Sequence, residues 1–428
     1  MCTILTRKIS VIPFSQVVPE LHDMIDDILF MIQYREKPTY FTRSTGKITF
    51  LQLICFVLGL PKASIQAEVN HFLKTFVSPA ETMTKSSLTE ARLKVSFTAF
   101  SAINDFIMEK VYKRGDDKRY KGYRLISMDG SIFDVNAGAE KTFGSLKTSG
   151  NSVAKAQVVA LVDVLNDLTL EALVGAYAES ERDMALEAVT CLQGKSDAKD
   201  LYVGDRGFPS REMIFALMDT NSTFLMRVSS NFIKAVNEAK KPDQVVQIFD
   251  AEKKKHNLRV VNITLSTGET EKLITNEFYL TIEDLREIYH LRWGIERKYL
   301  ELKERLQIEN FTGSLPELIL QDFYATIVVS NLVSLAKQEA QYLNDKKPSA
   351  KKRKYEYKIN TNLTIAALRD TLIYALLEEN PRKARRTVSA SLMTIRKSLI
   401  PIRSERKSSP RIPKNPSQKF PLNKKIGW

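Results

Sequence analysis

Three carboxylates in this chain sit where metal-assisted chemistry would want them. Asp129 ends an apolar run in "LISMDGS", Asp205 does the same in "LYVGDRGF", and Glu296 lies within "YHLRWGIERKYLELKERL", Tyr289 to Leu306. A strand-end aspartate usually caps a turn, and an acid on a charged helix usually pairs with a neighbouring cation. Two such aspartates at the ends of neighbouring strands, with a lone glutamate on a buried helix's edge, are a less common set. Hard oxygen ligands with no Cys or His nearby suit Mg²⁺ or Mn²⁺. Two such ions can clamp the attacking and leaving oxygens of an in-line phosphoryl displacement.

The stretch holding Glu296 reads as one helix. At 100° per residue Tyr289, Arg292, Glu296 and Lys303 fall at about 0°, 300°, 340° and 320°. Ile288, Leu291, Ile295, Leu302 and Leu306 form a separate apolar stripe beside them. One carboxylate flanked by two cations and a phenol then lies beside a buried face. Arg292 suits a forked phosphate contact and Lys303 a point charge. Trp293 falls outside the stripe and is expected to pack.

The elements that must position these residues follow from periodicity. Residues 1 to about 118 read as helical, in "SQVVPELHDMIDDILFMIQY", "TFLQLICFVLGL", "SIQAEVNHFLKTF" and "SSLTEARLKVSFTAFSAINDFIMEKVY", with Ser64 and Ser87 as caps. A cationic linker follows, "KVYKRGDDKRYKGYR", which reads equally as a DNA-backbone arm or a solvated connection. From Tyr123 the pattern predicts three strands, with a turn at Asn166-Asp167 between the second and third. Helix, strand, helix and strand come next, the second helix with Pro209 at its start. That order predicts an α/β RNase H-like core, a mixed sheet with helices on both faces. Residues 231–280 read as a β-rich insertion with a turn at Ser266 to Gly268. Thr281 and Asp284 then start the glutamate helix with a capping box. "LPELILQDFYATIVVSNLVSLAKQEAQYL" reads as a largely buried helix, and "TIAALRDTLIYALLEEN" as the one convincing helix of the tail. The expected domains are 1–118, helical and DNA-binding; 119–230 with 281–340, catalytic; 231–280, inserted; and 341–428, basic.

Composition bounds the rest. Cys2, Cys55 and Cys191 are too few and scattered for a disulfide framework or zinc site, and His22, His71, His256 and His290 lack ligand spacing. The N-terminus lacks a signal peptide's apolar core, and the apolar windows fall short of the ~20 residues of a membrane span. A cytoplasmic protein, associated with the nucleoid when bound to DNA and not with a membrane, is expected. The net charge of +14 is concentrated in residues 346–428, with 22 Lys and Arg against 5 Asp and Glu. Such a segment attracts polyanions, or serves as a solubilising tail.

Tyr289, Arg292, Glu296 and Lys303 match the Y-(2)-R-(3)-E-(6)-K signature with every spacing in place. With Asp129 and Asp205, the chain resembles the DDE transposases of bacterial insertion sequences that bear this signature, over roughly 120 to 335. The stretches "FGSLKTSG", "GDRGF" and "FLMRVS" are also similar to the family's. The resemblance implies that Asp129, Asp205 and Glu296 are catalytic and bind two Mg²⁺ ions, with Mn²⁺ as a substitute. It implies that Tyr289, Arg292 and Lys303 contact DNA near the cut end. It further implies a homodimer acting on the double-stranded inverted repeats of an element and on target DNA. Water would cut the phosphodiester, and the freed 3′-OH would attack the target.

Two other readings fit less of the sequence: an RNase H-like nuclease or resolvase that does not join strands, and a non-catalytic DNA-binding protein. Asp134, Asp167 and Asp183 read as turn or cap residues and Asp163 as mid-strand. Glu179 and Glu181 begin a helix, where negative charge is favoured anyway. Arg206 reads as a salt-bridge partner of Asp205 or a phosphate contact.

Overall fold

The computed structural model describes residues 13–42, 46–113, 115, 117–148, 151–264, 270–346 and 355–403. The expected turn at Ser266 to Gly268 and the basic stretches at 347–354 and 404–428 lie outside them. In chain order the helices before the sheet are α1 (Phe14–Asp26), α2 (Ile28–Tyr34), α3 (Phe50–Leu58), α4 (Ile65–Phe72), α5 (Lys85–Arg92) and α6 (Thr98–Tyr112). Then come β1 (Tyr123–Asp134), α7 (Glu140–Phe143), β2 (Ser145–Thr148), β3 (Asn151–Asp163), β4 (Leu168–Ala176), α8 (Glu181–Leu192), β5 (Lys199–Gly204), α9 (Arg211–Asp219) and β6 (Thr223–Val228). The segment α10 (Lys234–Asn237), β7 (Asp243–Phe249), β8 (Lys255–Thr264) and β9 (Thr270–Thr275) leads to α11 (Ile282–Leu291) and α12 (Gly294–Leu300). Last are α13 (Pro316–Asp345), β10 (Glu356–Ile359), α14 (Thr361–Leu377), α15 (Pro381–Lys397) and β11 (Leu399–Ile402).

The chain forms two compact units, one containing residues 104–309 and 314–320, the other 11–103, 310–313 and 321–428. In the first, β3 lies antiparallel between β4 and β1, and β1, β5 and β6 run parallel. This is the RNase H-like arrangement the element order predicts. Asp167 takes a left-handed φ of 54° at the β3–β4 turn, as its sequence position requires. The strands of 231–280, expected as an insertion, extend this same sheet. β9 pairs antiparallel with β6, and β8 and β7 follow it. Leu125, Leu201, Val203, Leu225, Val261 and Leu273 form one buried cluster with Leu285 and Ile288 of α11. The inserted strands thus bury their apolar residues in the core that seats the glutamate helix.

The linker after α6 is tied down. The Tyr120 hydroxyl donates to Asp284 (3.0 Å) and Glu287 (2.8 Å), and Lys121 pairs with Asp284 at 2.6 Å. Arg124 donates twice to Asp200.

In the second unit, α1 packs on α14 and α15, so helices from both ends of the chain share one core. His22 Nδ1 meets the Leu376 carbonyl at 2.7 Å, and buried Arg92 pairs with Asp322. Three helical runs are divided. Asp27 separates α1 from α2 and caps the latter, and a turn at 93–97 separates α5 from α6. The cap of α5 is Thr84, not Ser87, and Ser64 stands at the cap position of α4 without a side-chain bond. The basic "PRKARR" begins α15, a helix absent from the sequence reading, with Asn380 as cap, Pro381 in its first turn and Val388, Leu392 and Ile395 buried. By length and composition α13 could cross a membrane, but 89% of its most apolar window is buried within the protein. It runs for 30 residues, close to the stretch the sequence predicts as one largely buried helix.

Candidate active site

The strand register brings the two aspartates together. Tyr123 of β1 pairs with Lys199 of β5, and Ser127 with Val203. Two residues further, the same offset sets Asp129 beside Asp205; Asp205 directly follows β5, but Asp129, expected at a strand end, lies mid-strand in β1 and pairs with Ala160 of β3. The Arg124–Asp200 ion pair (2.7 Å) bridges the two strands near their other end.

Each aspartate uses one oxygen locally. Asp129 Oδ1 accepts from the Gly130 amide (3.0 Å), and Asp205 Oδ1 from the Gly207 amide (2.7 Å), as a turn-capping aspartate would. The second oxygen of each has no hydrogen-bond partner among the described residues. Burial, and next the charge of Asp205, push Asp129 up to about 7 from an ordinary 3.8, with Glu181 adding to the rise. The Gly130 amide and Arg292 pull the other way without cancelling it.

The stretch carrying Glu296 is not one continuous helix. α11 ends at Leu291, and the i→i+3 bonds Arg292 N to Tyr289 O and Trp293 N to His290 O (both 3.3 Å) make a tight turn before α12. Gly294 permits the turn's close seat: a Cβ there would lie 2.9 Å from Val164 Cγ1. A π-helical turn follows at Glu301–Arg305. The single stripe drawn on an ideal helix is therefore broken into separate placements. Ser127 of β1 donates to the Arg292 carbonyl (3.3 Å), and Tyr299 of α12 to the Asp129 carbonyl (2.9 Å), which holds the turn over the middle of β1.

Arg292 is buried, its side chain 9% exposed, and one terminal nitrogen lies 3.2 Å from Glu296 Oε1, whose side chain is 45% exposed. Its Nε has no partner, and neither has the buried Tyr289 hydroxyl. Arg292 thus acts on Asp129 while bonded to Glu296, so the cation stands between these two acids. Burial raises the Tyr289 phenol above its ordinary value, against the opposing charges of Arg227 and Arg292. Lys303 is occupied: it donates to the Ile132 carbonyl of β1 (2.8 Å), lies 4.4 Å from the centre of the Phe133 ring, and is 3.6 Å from Glu309. Trp293, expected to pack, is 56% exposed. Arg206 is exposed and makes no ion pair with Asp205.

Two charged groups near the site were not singled out for it in the sequence. Glu181, set aside as a helix-start acid, is raised above its ordinary range by burial and by Asp205. Arg227 of β6 pairs with Glu271 and feels both Tyr289 and Asp205, with its Nε buried and unpartnered. The signal for Glu181 was present as a carboxylate in the first turn of α8, but such residues are common for reasons of helix electrostatics alone.

Among the described residues, no group of three or more His, Cys, Asp or Glu side chains is placed to hold a metal ion. The donor chemistry nonetheless fits a hard divalent cation. Asp129 and Asp205 each offer a free carboxylate oxygen side by side, their repulsion only partly offset by Arg292, with no soft ligand beside them.

Residues 120–332 match the transposase DDE domain family. None of the curated proteins matches the chain. A distant likeness links it to a solved structure described as the cryo-EM structure of piggyBac transposase synaptic complex with hairpin DNA. That likeness has a TM-score of 0.46 and 10% identity, and covers 90% of this chain and 87% of that one.

Proposed function

We propose, from the match of residues 120–332 to the transposase DDE domain family, that this chain is a DDE transposase that cuts the ends of an insertion sequence and joins them to target DNA, with Asp129, Asp205 and Glu296 holding two divalent cations. One observation above all supports this. The β1–β5 register sets two half-buried aspartates side by side, and their repulsion is only partly offset by an arginine. Mg²⁺, or Mn²⁺ in its place, would there neutralise charge on the scissile phosphate and favour the deprotonated form of an attacking water or 3′-hydroxyl.

The chain's own residues orient the DNA. Arg292 has a fork suited to a phosphate, and in the DNA-free chain part of that fork holds Glu296. A phosphate that takes up the fork would release Glu296 to join Asp129 and Asp205. Tyr289 and Arg227 present a buried hydroxyl and a buried Nε, both without partners, for a neighbouring phosphate oxygen. Lys303 steadies the edge of β1 from which Asp129 projects. The substrates in this reading are the double-stranded inverted repeats and target DNA, with two copies of the chain acting on paired ends.

Glu296→Gln keeps the side chain's shape and removes its charge. Nicking of end DNA with Mg²⁺ should fall on the order of a hundred- to a thousandfold, the scale for losing one preorganised electrostatic group, while end binding persists. Near wild-type nicking would take Glu296 out of the site. Supplying pre-cut ends then separates a transposase from a nuclease or resolvase, since only the transposase yields strand-transfer products.

A further inference from the structure

The cations of "PRKARR" fold where helix physics disfavours them. Arg382, Lys383, Arg385 and Arg386 lie in the first turns of α15, at the positive end of the helix dipole, where acids are favoured. Arg382 and Arg386 stand four residues apart as like charges, a further cost. All four are exposed, and among the described residues none of them makes an ion pair. α15 contains no acid from end to end. The acids just before it are Glu378, whose carboxylate accepts from the Asn380 amide (3.0 Å), and exposed Glu379. The helix start itself offers no open donor. The Asn380 side chain accepts from the amides of Arg382 (3.0 Å) and Lys383 (3.4 Å), and its carbonyl from that of Ala384 (3.0 Å). Whatever answers this charge must meet side chains.

The outward face of α15 is ordered along its length. Ala384, Val388, Ser391, Leu392 and Ile395 are buried. At 100° per residue Arg382, Arg386, Ser389, Met393 and Lys397 fall within about 80° on the opposite side, and all five are exposed. Cations stand at both ends of this stripe, with Ser389, Met393 and the adjoining Ala390 between them. Met393 is 54% exposed, an apolar side chain in the middle of a cationic face. Arg396, off the stripe, is tied to Asn344, the Leu343 carbonyl and the Met393 sulfur. Solvation accounts for the cations but not for this apolar middle. From Arg382 to Lys397 the helix rises about 22 Å, enough to cross a DNA major groove about 12 Å wide. Its end cations then meet phosphates on both sides, while short and apolar side chains come up to base edges. There a serine bonds to either kind of edge, an arginine to guanine, and an apolar group meets the thymine methyl.

We propose that α15 is a reading helix for the major groove of duplex DNA: Arg382 and Lys397 hold phosphates on either side, and Arg386, Ser389 and Met393 face the bases. The proposal rests on the reading of the chain as a protein that acts on DNA ends. It adds base reading to a region whose charge alone would bind DNA of any sequence.

The test is selection by the full-length chain, in chelator, from a pool of duplexes with a randomised central segment, followed by titration of the selected and a scrambled duplex. Arg386→Gln and Met393→Gln should each change the selected sequence. Each should weaken binding of the wild-type consensus about tenfold relative to the scrambled duplex, the scale of one lost base contact. Arg382→Gln and Lys397→Gln should weaken both duplexes alike and flatten the salt dependence by about 0.9 of log–log slope apiece. Melting temperatures should stay close to wild type, since all four side chains are exposed. A consensus unchanged in Arg386→Gln and Met393→Gln, whatever the loss of overall affinity, would overturn the proposal. So would binding of an RNA duplex as tight as that of the selected DNA, because the deep, narrow major groove of RNA admits no such helix. The transposase reading is judged apart. A wild-type chain that selects no sequence and nicks no end DNA fails that reading, whereas one that selects and nicks while its α15 variants keep the consensus fails only this proposal.

Discussion

Asp129, half-buried, and Asp163 are aspartates on adjoining strands of one sheet, and their surroundings differ in kind. Asp163, at the end of β3, is wholly buried. It accepts from the Tyr112 hydroxyl (2.8 Å), Asn166 Nδ2 (2.6 Å) and the amides of Leu165 (3.0 Å) and Asn166 (3.1 Å). Asp129 has one amide donor and two acids for neighbours. Burial raises both, Asp163 to about 6 and Asp129 to about 7. A raised pKa therefore does not by itself mark chemistry. The partners do: four donors make Asp163 a clasp that fastens the β3–β4 turn, and facing acids leave Asp129 open to a ligand.

The largest effects should fall on opposite properties of the two residues. Asp129→Asn should abolish Mg²⁺-dependent nicking to the same extent as Glu296→Gln, yet leave the metal-free protein as stable as wild type or more so, because it removes a repelled charge. Asp163→Ala should cost about 3 kcal/mol in urea unfolding, the scale for stranding several buried donors. Such nicking as it retains should track its folded fraction. If Asp129→Asn were the strongly destabilised variant, the contrast between clasp and ligand site would be lost.

A smaller effect lies in the pH dependence of stability. Both acids have folded-state values above the ordinary 3.8. Between about pH 4 and those raised values the folded chain keeps protons that the unfolded chain releases, so each contribution to stability falls as pH rises. The fall ends near pH 6 for Asp163 and near pH 7 for Asp129. In chelated protein the melting temperature should therefore decline up to about pH 7, and Asp129→Asn should end the decline near pH 6. Mg²⁺ added at about pH 8 should raise the wild-type melting temperature and not that of Asp129→Asn. A decline between pH 6 and 7 that survives in Asp129→Asn would assign that titration to another group.

The same contrast explains which parts of the molecule the sequence disclosed. These central strands reveal themselves as short, nearly continuous apolar runs bounded by turn residues, so the β1, β3, β4, β5 and β6 order was readable, and with it the pairing of Asp129 and Asp205. Asp163 and Asp129 look alike in sequence because donors such as Tyr112 and Asn166 come from other elements. The break at Arg292–Trp293 was hidden because an ideal wheel assumes 100° per residue, whereas Gly294 and its contact with Val164 act in three dimensions. Glu181 was set aside because helix electrostatics already explained it. Only the bare Gly130, over which its carboxylate lies, shows where it reaches. Helix α15 was masked by its own charges, although Asn380 and Pro381 are start signals.

The smallest effects extend the comparison to the cations. Arg292 resembles Asp129 in keeping an unsatisfied atom, its Nε, while Lys303 resembles Asp163 in being fully engaged. Arg292→Lys loses the fork but keeps the charge, so it should bind end DNA and cut about tenfold more slowly, some 1.4 kcal/mol of barrier. Lys303→Met loses a bond to the Ile132 carbonyl and a contact with the Phe133 ring. It should cost about 1 kcal/mol of stability or less. Its nicking rate should stay within about threefold, or ~0.6 kcal/mol, of wild type. Thermal stability and single-turnover nicking measured on one preparation of each variant decide the matter. If Lys303→Met were as slow as Arg292→Lys with an unchanged melting temperature, Lys303 would have to leave β1 for the DNA, and satisfaction in the free chain would no longer separate structural cations from working ones.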